Sequence, residues 1–136
     1  ELRAYRSLYQ GEDHEELIAA LRHTALDLLD LLAAFNPYLT GSVLDGTAGE
    51  HSRIDIQIFA DSAKEVEIFL LNRGMAFEHV EPRHERAEAV LVLETDTADA
   101  NLVIFPPQLE RVGMKHRDNR PRERVRAAAL RALILE

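Results

Sequence analysis

The sequence predicts an α+β (α/β) domain, a mixed β-sheet of about five strands with helices packed on it. Three patterns predict it. Apolar residues recur at spacings of three or four between residues 13 and 35 and alternate with polar ones from 53 to 59. Short apolar runs, bounded by Gly, Pro or charged clusters, then fill 76 to 106. Helices packed against one sheet bury both kinds of pattern at once.

Each element has its own local reason. Residues 13–35 read as a helix, with Asp13 as cap, Glu16 at the capping-box position and Leu17, Leu21, Ala25, Leu28 and Leu32 as its apolar stripe. Asn36-Pro37 stops it, because the residue before proline resists the α conformation. Tyr38-Leu39-Thr40 is then a short buried strand that runs into Gly41-Ser42. In the next strand Ile54, Ile56 and Ile58 share one face, and Arg53, Asp55, Gln57 and Phe59 the other. Asp61-Ser62 begins a second helix with Val66, Phe69 and Leu70 as its buried stripe, and Gly74 closes it. Ala76 to Val80 and Ala89 to Leu93 form strands joined by the charged hairpin loop EPRHERAE. Asn101 to Phe105 is a further strand ended by Pro106-Pro107, and Pro121 stands near the start of a final helix reaching about Leu133.

At 136 residues the chain is expected to be a single domain, 1–136. It divides into an N-terminal helix (13–35), a sheet core (38–106) and a basic loop with C-terminal helix (107–136). Its 46% hydrophobic and 29% charged residues are ordinary for a soluble globular protein. No apolar stretch approaches the roughly 20 residues that cross a bilayer, so no membrane partner is expected. The opening ELRAYRSLYQ lacks the layout of a secretory signal, and the absence of cysteine excludes disulfides and thiolate metal sites; a cytoplasmic location is expected.

The net charge of −8 is unevenly spread. Residues 111–126 carry seven basic side chains against two acidic ones, a local excess of five that leaves −13 for the remainder. A largely acidic surface argues against general nucleic-acid binding, which draws most of its affinity from phosphate neutralisation. The basic segment reads first as a solvated loop and helix start, and second as a contact for one polyphosphate or acidic partner.

The chemistry concentrates in residues 41–58, GSVLDGTAGEHSRIDIQI. Glycine before serine at a strand end lets the backbone approach a phosphate, to which the serine hydroxyl and neighbouring N–H groups can donate. Carboxylates at i and i+2 on an adjacent strand would share a face and could hold divalent ions bridging the phosphates. Gly41, Ser42 and Gly46, then Ser52 and Asp55, then the later run Asn101-Leu102-Val103, fall in that order. Over residues 38 to about 106 this resembles the nucleotidyltransferase superfamily related to DNA polymerase beta, in its minimal form. The signature of that family is Gly-Ser, about ten residues, Asp-x-Asp, and a third aspartate on a later strand.

The resemblance implies a nucleoside triphosphate as substrate, Mg2+ or Mn2+ as cofactor, Asp55 as metal-binding and catalytic residue, and Gly41 and Ser42 at the phosphates. It also implies transfer of a nucleoside monophosphate. Minimal relatives often work beside a helical partner protein, as in toxin-antitoxin pairs, so a protein partner is expected as the alternative. The departures bear on mechanism. Aligned on Ser52, Arg53 stands at the first metal aspartate, Asp55 at the second and Asn101 at the third; shifted by two, Gln57 takes the second place.

One aspartate supplies too few anionic ligands for two catalytic metals. A unit charge about 4 Å from Arg53 is opposed by roughly 4 kcal/mol at an effective dielectric of 20, and a divalent ion by about twice that. Arg53 suits a phosphate oxygen or Asp55 better. Sequence therefore favours nucleotide binding over turnover. The histidines show no close metal-ligand spacing; His51 alone adjoins the site, as a loop residue. Lys115 and Arg117 could reach a triphosphate. Glu94 or Asp96 could complete the acids only if strand order set one beside Asp55.

Overall fold

The computed structural model describes residues 2–112 and 123–135, with residues 2–12 described by their backbone alone. Helix α1 runs Leu2–Leu31 and is followed by a 3-10 turn, Ala33–Phe35. Strand β1 is Tyr38–Thr40, α2 Ser42–Asp45, β2 Ile54–Phe59, α3 Ala63–Asn72, β3 Phe77–Val80, β4 Ala89–Glu94 and β5 Asp99–Phe105. A second 3-10 turn spans Pro107–Arg111; β6 is Arg124–Val125 and α4 Ala127–Ile134. The architecture is α+β; the described residues form four helices on a mixed sheet of six strands rather than five, in the order β3-β4-β5-β2-β1-β6. Among the described residues only the β2–β5 pair is parallel.

The alternation of β2 divides the sheet into two faces. Ile54, Ile56 and Ile58 join Leu39, Leu91, Leu93, Leu102 and Ile104 beneath the helices. Leu21, Ala25, Leu28 and Leu32 of α1, Val66 and Leu70 of α3 and Leu130 of α4 complete this layer. Full burial of each large aliphatic side chain is worth about 1.5–3 kcal/mol, so this face supplies most of the stability. On the other face Phe59 and Phe105 stack at 5.7 Å, with Tyr38, Val103 and Leu109 packed around them.

Several boundaries differ from expectation. Helix α1 begins at Leu2, so Asp13 is a mid-helix residue and no cap. No proline interrupts residues 2–12, and a single glycine at Gly11 costs only about 1 kcal/mol, less than an established helix supplies. The helix stops four residues early at Leu31; Asn36, in the left-handed conformation at φ 51°, completes the exit before Pro37. Ser62 and Glu65 form a reciprocal capping box that fixes the start of α3. The final helix begins at Ala127, after a two-residue strand too short to leave an alternating pattern. Pro121, Lys115, Arg117 and most of the basic segment lie outside the described residues. No described helix is long and apolar enough to cross a membrane.

Candidate functional site

Thr40 of β1 pairs with Asp55 of β2, and Asp55 pairs with Asn101 of β5. The three residues therefore form one row across the sheet, on the face away from α1. Immediately after Thr40 the chain turns at Gly41, whose φ of +80° and ψ of −157° are open essentially to glycine alone. A side chain there would also have no room, since a Cβ would lie 2.7 Å from Oδ2 of Asp55. The backbone conformation thus calls for glycine, and any side chain there would also force the Asp55 carboxylate to shift.

Helix α2 is a single turn. The carbonyl of Ser42 accepts from the N–H groups of Gly46, Thr47 and Ala48, which folds the turn back on itself. Arg22 of α1 fastens it: its Nε donates to the Val43 carbonyl at 3.1 Å and its Nη2 to the Leu44 carbonyl at 2.8 Å. His14 adds Nε2–H to the Gly46 carbonyl at 3.1 Å. Among the described residues no hydrogen bond engages the Ser42 hydroxyl. Ser52, by contrast, closes its own loop, accepting from Gly49 N–H at 2.8 Å through its hydroxyl. It is a turn residue.

Around Asp55 the polar groups form a chain. Asn101 Nδ2 donates to Asp55 Oδ1 at 3.0 Å, and Arg53 Nη1 donates to Asn101 Oδ1 at 3.2 Å. The two contacts fix the orientation of the Asn101 amide, oxygen toward the guanidinium and nitrogen toward the carboxylate. One oxygen of Asp55 thus holds an amide N–H while the other rests over Gly41. Arg53, exposed, keeps further N–H donors for solvent or an anion.

The residues expected in one site are therefore brought together: Gly41, Asp55, Asn101 and Arg53 are in contact or one bond apart, and Ser42 adjoins Gly41. Gln57 is not part of that edge. It lies one strand repeat deeper, and only 2% of its surface is exposed. Glu94 pairs with Asp99, and β5 separates its strand from β2, so it does not stand beside Asp55. Asp96 lies outside the strands. Asp99 was missed. By continuation of the β2–β5 register it opposes Arg53, and both line a polar hollow of about 320 Å3 together with Glu50, His51, Ser52 and Ala98. Its signal in the sequence is Asp99-x-Asn101, the same spacing as Arg53-x-Asp55.

The donor set does not fit a two-metal centre. Among the described residues no group of three His, Cys, Asp or Glu could hold a metal ion. The carboxylate nearest the Gly41 turn already faces one amide donor, and a guanidinium stands two residues away on the same face. Divalent ions need oxygen ligands and accumulated negative charge; this cluster presents Asp55 at the turn and Asp99 across from Arg53, and the fixed guanidinium offsets one of the two carboxylates. What it offers is a hydroxyl, a guanidinium and a glycine turn, a set suited to an anion held without metal.

No protein-family model matches the chain, and no curated protein matches it at significant similarity.

Proposed function

We propose that this chain is a nucleotidyltransferase-like module that binds a nucleoside triphosphate without two-metal turnover. The observation that carries the reading is the Arg53–Asn101–Asp55 chain of hydrogen bonds beside the Gly41 turn. In this reading Ser42 and the Gly41 backbone contact phosphate oxygens, and Arg53 supplies the positive charge that a metal would otherwise bring. Asp55 is a positioning residue: it holds Asn101, which in turn directs Arg53. Transfer of a nucleoside monophosphate is not expected, because the attacking and leaving oxygens would lack a metal clamp.

Titration calorimetry with ATP, GTP, CTP and UTP in EDTA tests the reading directly. Binding that persists in EDTA and weakens in Ser42→Ala and in Arg53→Ala supports it. Failure of all four nucleotides to bind at millimolar concentration contradicts it. A second reading, an interaction module acting with a protein partner, is favoured by Ile68 and Leu71. These apolar residues stand three apart on α3 and are 49% and 62% exposed.

A further inference from the structure

The sheet face beyond Asp55 holds two buried polar atoms that the proposed site does not use. Oε1 of Gln57 and Nη1 of Arg124 are both inaccessible to solvent and, among the described residues, neither has a hydrogen-bond partner. Buried polar atoms are partnered in the great majority of cases, by protein or by ordered water, so two such atoms on one sheet face require an explanation. Gln57 pairs across the sheet with Tyr38, and Arg124 pairs with Thr40 on the same strand as Tyr38. The Arg124 guanidinium lies over the Tyr38 ring, 4.3 Å from its centroid, and 5.3 Å from that of Phe59, two residues along the strand from Gln57.

The two atoms are also complementary in kind. Nη1 can only donate and Oε1 can only accept. Nη2 of Arg124 is already committed to the Glu110 carbonyl, which holds the guanidinium in place. The Glu110 carboxylate accepts from Tyr38 and pairs with Arg126, so it is engaged elsewhere. One group satisfies both orphans at once, a hydroxyl, which accepts from Arg124 and donates to Gln57.

We infer that Gln57 and Arg124 form a buried site for a single hydroxyl group. Water fills it in the free protein, as buried waters commonly satisfy otherwise unpaired groups. A sugar hydroxyl of a bound nucleotide takes the same position by displacing that water, between the same two partners. This second source rests on the proposed nucleotide binding; the first does not. Gln57 lies two residues from Asp55, about 6.6 Å along the strand, a span that a nucleotide anchored at Gly41 and Ser42 could bridge.

A crystal structure of the free protein that resolves ordered water tests the site without any ligand. Density within hydrogen-bond distance of both Gln57 Oε1 and Arg124 Nη1 is expected. A direct bond between the two side chains, or an empty gap, overturns the inference. A thermal-unfolding cycle on Gln57→Leu, Arg124→Met and the double variant gives an independent reading. Bridging through a shared hydroxyl makes the double variant markedly less destabilised than the sum of the singles, whereas additive shifts overturn it.

Thermal shifts with ATP, 2′-deoxyATP and 3′-deoxyATP then identify the source. A several-fold preference for one ribose hydroxyl, abolished in Gln57→Leu, assigns the position to the nucleotide. Equal binding of all three, with the water density present, assigns it to water and overturns the sugar arm. Absence of binding by any of the three counts against the proposed function and against the sugar arm, and leaves the water result standing.

Discussion

A Cβ on Gly41 would stand 2.7 Å from Oδ2 of Asp55. The two residues are neighbours across β1 and β2, and the glycine exists in a conformation that other residues scarcely adopt. Gly41→Ala is therefore expected to lower stability by about 1–3 kcal/mol from the backbone alone. The clash with the carboxylate adds to this. Asp55→Ala in the Gly41→Ala background should recover the second part and not the first. Urea denaturation of the two single variants and the double variant checks it; strict additivity would show that the contact carries no energy.

Arg22 predicts a second, local effect. Its guanidinium holds the Val43 and Leu44 carbonyls, and hydrogen bonds to charged groups contribute about 1.5–3 kcal/mol. Arg22→Met keeps the apolar stem and removes both bonds. Loss of about 2 kcal/mol is expected, with faster amide exchange at Gly46, Thr47 and Ala48, whose N–H groups close the α2 turn. Unchanged exchange at those amides would place the anchor of the turn elsewhere.

The row Thr40–Asp55–Asn101 predicts a way to install metal dependence. Arg53→Asp combined with Asn101→Asp adds two carboxylates to Asp55 and Asp99 on one face of two adjacent strands. Without metal the added like charges should lower the melting temperature by several degrees. Mg2+ or Mn2+ at millimolar concentration should restore it in the double variant and leave the parent protein unmoved. A parent protein stabilised by Mg2+ to the same extent would contradict the account of why the natural cluster does not suit a metal.

Much of this geometry could be read from residues in order, and some could not. The alternation of Arg53, Asp55, Gln57 and Phe59 assigned all four to one face correctly, because a strand's period is fixed by its backbone. The start of α3 at Asp61-Ser62 is a local signal and was equally legible; the structure adds that Ser62 closes a capping box with Glu65. Lateral neighbours are different. That Asn101 donates to Asp55, or that Asp99 opposes Arg53, depends on β5 lying beside β2, and strand order is set by long-range pairing. Gln57 shows the same limit: a polar residue on the face opposite the main core reads as exposed, yet it is buried on the face where Arg124 lies over Tyr38, its cross-strand neighbour. The β6 strand that brings Arg124 there has only two residues, too few for any period to register.

Removing Asn101 should separate binding from stability. Asn101→Ala deletes the bond to Asp55 and the one from Arg53, at an expected cost of about 0.5–1.5 kcal/mol, since both sit at a half-exposed edge. Nucleotide affinity should fall several-fold because Arg53 loses its orientation, while Asn101→Gln should rescue neither. Titration calorimetry beside urea denaturation distinguishes this from a purely structural loss, which would leave affinity unchanged.

The most direct measurement is thermal unfolding of the parent protein with each of ATP, GTP, CTP and UTP, in EDTA and again with Mg2+ or Mn2+. A ligand at about 100 times its dissociation constant adds roughly 2.7 kcal/mol, a shift of several degrees for a domain of this size. The account predicts a shift with at least one nucleotide that is as large in EDTA as with metal. A shift that appears only when metal is added would contradict it, and would mean that Asp55 assembles a metal site despite Arg53 and Asn101.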